Sequence, residues 1–555
     1  MNKKVCSFPI LFALLTLLIG TCAVVFPASA QAAPTSTGSI TVSGTVASSY
    51  DAYQIFSANV VDGDSDAKIA TDLAWASDAA RDAVLPVLHS AGMPNSQTTA
   101  QEAAEWLNTD SHLTSALSAQ LARSLQSSDS VSVALNAGKT AELPCGYWLI
   151  VADDDAIAQG EAGTAPIMAL VGGSAVTVKP KAATPKVAKH VLEDSTAAWQ
   201  KAADATVADD LYWRLAATVP AGLSAYDTYA VQFVDTMSAG LDPSKVAASM
   251  HVYVAAGTDG GFDAVSADKD GHAGTEPAKG WTDITAQCAT KVAADGTFTV
   301  RTGDLIAALG GADTFTAGAR VVAVYNAPLN SACNHGIAKG NPNEVYLRYP
   351  RSPLADQSGD AGFTRTPSDD ACAYTWDLAL TKRGSDGDKP LAGAVLSIAD
   401  DRGRTLAADG TWDAEGKATV TTGEDGRVTV SGVDSGKLEV RELKAPKGYT
   451  AFEGTRSVTV KVEGLDVDQV AAAKPKLTIT AESPLRADSA DGSTGSLEAS
   501  LINTPTGTPP SITTGGFMPS TGDMAMYAAA AAAVAGAALI VVALLVKRGG
   551  GSHKE

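Results

Sequence analysis

Lys382, Glu442 and Asn503 each close a run of apolar residues spaced two apart. Trp376, Leu378, Leu380 and Lys382 alternate with polar neighbours, as do Leu438, Val440 and Glu442, and Leu497, Ala499, Leu501 and Asn503. Side chains two apart on an extended strand share a face. An amine, a carboxyl and an amide therefore each fall on the inward face of a strand. A single lysine at a strand end ordinarily reaches solvent along its own stem, but three complementary polar groups on three such faces point to one buried site. A second set repeats the pattern: Val187, Lys189 and Val191; Val231, Phe233 and Asp235; Asn343, Val345, Leu347 and Tyr349. Lys186 is the alternative amine of this set, on the opposite face with Ala188 and His190, and Asn341 is the alternative amide. Burial lowers the pKa of an amine and raises that of a carboxyl. A proton can then pass between them, which leaves a neutral nucleophile beside a neutral acid. The amine attacks the amide carbon, the acid stabilises the developing charge and protonates the leaving ammonia, and a Lys–Asn isopeptide bond remains. Glu442 and Asp235 are thus the candidate catalysts of two single-turnover reactions, Lys382 to Asn503 and Lys189 to Asn343.

The elements that must position these groups are mostly strands. Val/Thr/Ser-rich alternation broken by Gly and Asp, 51 glycines and only 6% aromatic residues predict a turn-rich, mainly β protein. The length of 555 residues exceeds what one core supports. We expect tandem immunoglobulin-like β-sandwiches over residues 186–352 and 373–505, preceded by an α+β unit over residues 34–176. In that first unit Leu113, Leu117, Leu121 and Leu125 recur every four residues and predict one packed helix face. Trp106 and Leu107 read as core beside it. Residues 177–185 form a Pro/Lys linker, the polar stretch 352–370 a second boundary, and residues 506–517 a Pro/Thr/Gly stalk.

The two ends read as targeting segments. Lys3 and Lys4, an apolar run and the small residues Ala28, Ser29 and Ala30 make residues 1–32 a secretory signal. Cys22 follows Thr21, where a lipid-attachment site needs a smaller residue. Residues 524–546 form an apolar span long enough to cross a bilayer, followed by a basic tail, residues 547–555, with Lys547, Arg548 and Lys554. Export permits disulfides, and Cys145, Cys288, Cys333 and Cys372 remain after the signal, with three possible pairings. Cys288 with Cys333 is the preferred pair, since both lie in the middle unit. Their spacing does not suggest a metal site, the seven histidines form no hydrolytic arrangement, and no cofactor is expected. A net charge of -20 argues against nucleic acid as a partner.

Several segments resemble known families. Met518-Pro519-Ser520-Thr521-Gly522 resembles the LPxTG sorting signal of sortase substrates, with Met for Leu, and it precedes the apolar span and basic tail in the expected order. The resemblance implies cleavage after Thr521 and covalent attachment outside the cell, with the span holding the chain in the membrane only beforehand. Leu438 to Tyr449, LEVRELKAPKGY, resembles the YxLxETxAPxGY box of CnaB-type pilin and adhesin domains, with Leu438 for Tyr and Leu443 for Thr. Lys389-Pro390-Leu391-Ala392-Gly393-Ala394 and Leu501-Ile502-Asn503-Thr504-Pro505 are similar to that family's opening and closing segments. Pro185 to Val191, Tyr212 to Leu215, Asp235 to Leu241 and Asn341 to Tyr349 resemble the fimbrial isopeptide-forming middle domain, although Pro350-Arg351-Ser352-Pro353 replaces its usual end. Asp51 to Phe56 and Gly146 to Ile150 look like pilin N-terminal segments. Val176-Thr177-Val178-Lys179-Pro180-Lys181 resembles the pilin motif VxVYPK, with Lys179 for Tyr and Gly172 where an aromatic residue is usual. By that resemblance Lys181 is the amine that accepts the next subunit.

The resemblances imply a Gram-positive, sortase-assembled major pilin: not an enzyme beyond its own cross-linking, but a shaft subunit in a covalent head-to-tail fibre on the cell wall. The implied partners are a pilus-specific and a housekeeping sortase, identical subunits and a peptidoglycan precursor. Adhesion to a host surface ligand follows from the family alone. The alternative is a monomeric wall-anchored adhesin or ancillary pilin, which would need no acceptor lysine.

Overall fold

The computed structural model describes residues 36–507, apart from residues 45, 65, 66, 110, 182, 269 and 316. The expected signal, most of the stalk, the sorting pentapeptide Met518–Gly522, the apolar span and the basic tail lie outside the described residues. Among the described residues no helix is long and apolar enough to cross a membrane.

Nearest the N-terminus, the long strand Ser49–Asp62 organises a five-stranded sheet, pairing antiparallel with Lys68–Trp75, Ser132–Asn136 and Gly146–Ala152. A three-stranded sheet sets Thr37–Val42 between Thr140–Pro144 and Val176–Val178. Three helices cover the larger sheet. Each begins on a side-chain cap that satisfies an orphan amide: Ser77 for Asp78–Ser90, Thr99 in a reciprocal box with Glu102 for Ala100–Asn108, and Thr114 for Ser115–Gln126. Leu117, Leu121 and Leu125 are buried on one face of the last helix. Leu113 lies just ahead of that helix, and Trp106 stacks on His112 with ring centroids 4.1 Å apart.

The next two sheets face each other across one core. The six-stranded sheet runs in the order Ala198–Gln200, Lys186–Glu193, Tyr212–Val219, Ala319–Asn326, His251–Ala256, Thr282–Asp283. The facing sheet runs Ala202–Asp204, Asp369–Tyr374, Asn341–Pro350, Gln232–Met237, Thr297–Arg301, Ala289–Val292, with Phe363–Arg365 also on Asn341–Pro350. Trp213, Phe233, Phe298, Tyr325 and Tyr349 fill the space between them. The polar stretch expected to end this unit at residue 352 is therefore partly built into it, because Phe363–Arg365 and Asp369–Tyr374 are strands of the second sheet. Short strands of this kind are set by their partners, and their own composition reads as loop.

The last two sheets form a second sandwich. One holds Arg427–Val433, Trp376–Gly384, Ser496–Pro505 and Tyr449–Thr450 in that order. Trp376–Gly384 and Ser496–Pro505, its opening and closing strands, lie side by side and parallel. The other sheet places Gly436–Lys444 between Val395–Ala399 and Thr455–Glu463. The two sandwiches meet closely: the Asp204 carboxylate accepts the Trp376 indole N–H at 2.8 Å and the Ser435 amide at 2.7 Å, and Asp209 receives Arg402 at 2.8 Å and Arg404 at 2.6 Å. The protein is mainly β, built from tandem sandwiches behind a mixed first unit.

Candidate cross-linking sites

The structure brings both predicted sets of polar groups together inside their sandwiches. In the last sandwich the parallel register sets Lys382 beside Leu501 and Gly384 beside Asn503, so amine and amide come from adjacent strands of one sheet. The carboxyl of Glu442 comes from the facing sheet. Lys382 is 0% exposed. Its Nζ donates to the Leu501 carbonyl at 3.1 Å and lies 3.8 Å from Glu442 Oε1. Asn503 Nδ2 donates to both Glu442 oxygens, at 2.9 and 3.0 Å, and the Phe452 amide donates to Oε2 at 3.1 Å. Burial depresses the Lys382 amine to about 8, against a smaller opposing pull from Glu442. Asn503 Oδ1 is buried without a hydrogen-bond partner. Half a turn of the amide exchanges Oδ1 and Nδ2, and a protonated Glu442 then donates to that oxygen.

The middle sandwich divides the roles differently. Here the amine comes from one sheet, while acid and amide come from the other. Lys189 is 0% exposed, contacts Asp235 directly and donates to the Tyr325 hydroxyl at 2.9 Å. Its Nζ also stands 5.5 Å from the Trp213 ring centroid. Burial lowers the Lys189 amine to about 8 and raises the Asp235 carboxyl, each partly offset by the other. Asn343 Nδ2 donates to the Tyr325 hydroxyl at 2.8 Å, while Asn343 Oδ1 and Asp235 Oδ1 have no hydrogen-bond partner. The alternatives weighed on sequence sit elsewhere. Lys186 is exposed. Asn341 is buried but fully engaged, accepting from the Asn334 amide at 2.8 Å and donating to the carbonyls of Asn334 and Ala373 at 2.9 and 3.2 Å.

The cysteines correct one expectation. All four described cysteines are free thiols, so the expected Cys288–Cys333 pair is not formed. Cys288 lies where Ala289 meets Arg301, and Arg301 pairs with Gln232. Cys333 packs on Gly240, beyond the point where Met237 meets Asn343. The length of the Gln232–Met237 strand separates them, roughly 17 Å at strand rise, against the ~7 Å limit for a disulfide. Lys181 is exposed beyond Val176–Val178 and lines a groove with Ala162, Gly163, Tyr226 and Pro353, whereas Lys179 is exposed but outside that groove. Sequence reasoning did not single out Tyr325. Its alternation with Val321 and Ala323 reads as ordinary core, and nothing local marks where its hydroxyl points.

Residues 377–474 match the family model described as SpaA, a prealbumin-like fold domain. The matched segment holds Lys382 and Glu442 and ends before the strand of Asn503. A trypsin-resistant surface T6 protein of Streptococcus pyogenes serotype M6 is 30% identical over 143 residues, which is 24% of this chain and 24% of that protein. The match thus spans about a quarter of the relative's length. Among solved structures, the T6 backbone pilin of serotype M6 Streptococcus pyogenes aligns with a TM-score of 0.46 at 17% identity, covering 85% of this chain and 98% of that one. The full-length major pilin SpaD of Corynebacterium diphtheriae gives 0.42 at 15%, covering 85% and 98%. The Corynebacterium diphtheriae major pilin SpaA gives 0.37 at 13%, covering 84% and 99%.

Proposed function

We propose that the chain is the structural subunit of a sortase-polymerised, wall-anchored pilus, and that each of its two sandwiches closes on itself through a Lys–Asn isopeptide bond. The observation that carries the cross-links is the repetition of one buried constellation in two sandwiches: a lysine with a depressed pKa, a carboxyl in contact with it, and an asparagine whose carbonyl oxygen has no partner. A charged amine is costly to bury without reward. Consuming it in an amide removes that cost. In each site the lysine passes a proton to the acid and Nζ attacks Cγ of the asparagine; the acid's proton goes to the leaving nitrogen, the acid takes a second proton from Nζ, the Cγ–Nδ2 bond breaks and ammonia leaves, with the acid ending protonated. The assigned sets are Lys382, Glu442 and Asn503, and Lys189, Asp235 and Asn343.

Polymerisation would join the sorting pentapeptide near the C-terminus of one subunit to Lys181 of the next. A sortase cysteine attacks the Thr521 carbonyl, releases Gly522 onward, and passes the acyl group to Lys181 of the next subunit. The exposed position of Lys181 in a groove between the first unit and the middle sandwich supports this assignment. The division into residues 34–176, a linker, two sandwiches and a stalk, with the first sandwich reaching forward to about residue 374, belongs to the same reading. A head-to-tail contact of this kind does not close and so extends into a fibre. Two measurements test the proposal. The ectodomain should weigh two ammonia less than its sequence, and wall extracts should give a high-molecular-weight ladder on immunoblots. A single band in place of the ladder would make the chain a monomeric wall protein.

A further inference from the structure

The two buried sites differ in how the acid reaches the amide. In the last sandwich Glu442 does so directly, holding Asn503 Nδ2 with both oxygens at 2.9 and 3.0 Å. In the middle sandwich the acid is Asp235, shorter by one methylene. Asp235 pairs with Val345, and Asn343 pairs with Met237, so acid and amide are diagonal neighbours on one face. That diagonal is about 7–8 Å between backbones. The gap is occupied by the Tyr325 hydroxyl, delivered from the facing sheet by a fully buried ring that packs edge-on against Phe298 at 4.8 Å. This one oxygen meets all three partners: Lys189 Nζ at 2.9 Å, Asn343 Nδ2 at 2.8 Å, and Asp235 Oδ2, to which it donates at 3.1 Å.

Resting on the isopeptide reading above, we infer that Tyr325 is a third catalytic group of the middle site, carrying the proton between Asp235 and the departing amide nitrogen. The Lys189 ammonium first gives a proton to Asp235. The neutral amine then adds to Asn343 Cγ. Asp235 donates its proton to the Tyr325 oxygen as the Tyr325 O–H proton moves to Nδ2, while Asp235 takes back one proton from Nζ. The Cγ–Nδ2 bond breaks, ammonia leaves, and an N–H amide joins the two side chains, with Asp235 protonated and Tyr325 unchanged. Tyr325 is well suited to this work as a neutral relay, because burial and the neighbouring Asp235 keep its phenol protonated.

The test uses the two sites as clocks in one molecule. The full chain is made by cell-free translation, quenched at intervals and digested, and the Lys189–Asn343 and Lys382–Asn503 cross-linked peptides are quantified by mass spectrometry. In Tyr325→Phe, which keeps the ring and loses the hydroxyl, the first peptide should form at least about 100-fold more slowly, the usual scale for losing a proton-transfer group, while the second keeps its wild-type rate. In the double variant Asp235→Glu with Tyr325→Phe, the longer acid should reach Asn343 as Glu442 reaches Asn503 and restore the first peptide, which a purely packing role would not allow. Hydrogen exchange of the Tyr212–Val219 strand checks that Tyr325→Phe is folded. If that strand loses protection, the double variant decides alone, restoration supporting the role and continued failure overturning it. Wild-type kinetics for the first peptide in Tyr325→Phe, or equal slowing of both peptides, overturns it as well. Absence of the first peptide from the wild type removes the isopeptide reading, and the role of Tyr325 with it.

Discussion

Glu442→Gln should separate the covalent from the non-covalent contribution of the last sandwich. The glutamine keeps an acceptor for the Phe452 amide and the volume of the side chain, but it cannot take a proton from Lys382. The Lys382–Asn503 bond should therefore not form, and the variant should weigh one ammonia more than the wild type. The bond closes a loop of about 120 residues, for which the chain-entropy model gives about 5 kcal/mol. Spread over the melting entropy of a unit of this size, that corresponds to a fall of roughly 15–20 °C in its transition. The figure is a floor, since the unreacted Lys382 amine stays buried at 0% exposure and its desolvation opposes folding. Intact mass reads the bond. Calorimetry of the full chain, with hydrogen exchange of Trp376–Gly384 and Ser496–Pro505, reads the stability. A Glu442→Gln chain still lighter by both ammonia would refute the catalytic role of the acid, and loss of the bond without a lower transition would refute the entropic argument.

Three further outcomes are expected. Lys181→Ala should collapse the pilus ladder to monomer on immunoblots while secretion and wall attachment persist, and Lys179→Ala should leave the ladder intact; the reverse pattern means the acceptor is Lys179. Asn503→Ala removes the amide and leaves the Lys382 amine, whose pKa falls from about 10.4 in the unfolded chain to about 8 in the fold. The unfolded chain then binds more protons between those values, so the variant should gain stability as pH rises from about 8 towards 10, a gain that urea unfolding should not find in the cross-linked wild type. Because Cys145, Cys288, Cys333 and Cys372 are free, thiol titration of the denatured ectodomain, made without residues 1–32 and so without Cys6 and Cys22, should count four, and reducing agent should leave the melting profile unchanged.

The faces of the strands were legible because period two is a strong signal wherever one side is buried. It separates Lys189 from Lys186 and ties only Lys189 to the apolar row of Val187 and Val191, and the structure buries the first and exposes the second. Three things were not legible, each for a physical reason. Shared membership of one sandwich says nothing about which end of it a cysteine occupies, so Cys288 and Cys333 were paired on sequence and lie apart in space. The strand Asp369–Tyr374 has a polar opening because its first residues sit at the sheet edge, where the Asp369 carboxylate serves the Lys189 amide and the Lys201 ammonium. Tyr325 looks like core from its row, since a hydroxyl buried among side chains leaves no trace in hydrophobic spacing.

The positions of the two proposed bonds would suit a chain pulled from Lys181 and Thr521. Under the linkage proposed here, residues before Lys181 lie off the line of tension, and Lys68, one of the two lysines of the first unit, donates to the carbonyls of Gly172 and Ser174. Tension enters the middle sandwich along Lys186–Glu193 and would cross at once from Lys189 to Asn343. About 150 residues of the sandwich then hang as a closed loop that force cannot open, much as a disulfide would hold them. From Asn341–Pro350 the path runs through Asp369–Tyr374, itself paired with both Asn341–Pro350 and Ala202–Asp204, directly into Trp376–Gly384. There the opening and closing strands lie parallel and adjacent, so pulling on their outer ends loads their hydrogen bonds in shear, all at once. The proposed Lys382–Asn503 bond would stand near the C-terminal end of both strands, behind that ladder. Hydrogen bonds alone, loaded together, would let go together once the load exceeds what they share. The proposed amide behind them, buried from water by both sheets, would leave the sandwich no shear path that avoids breaking a covalent bond.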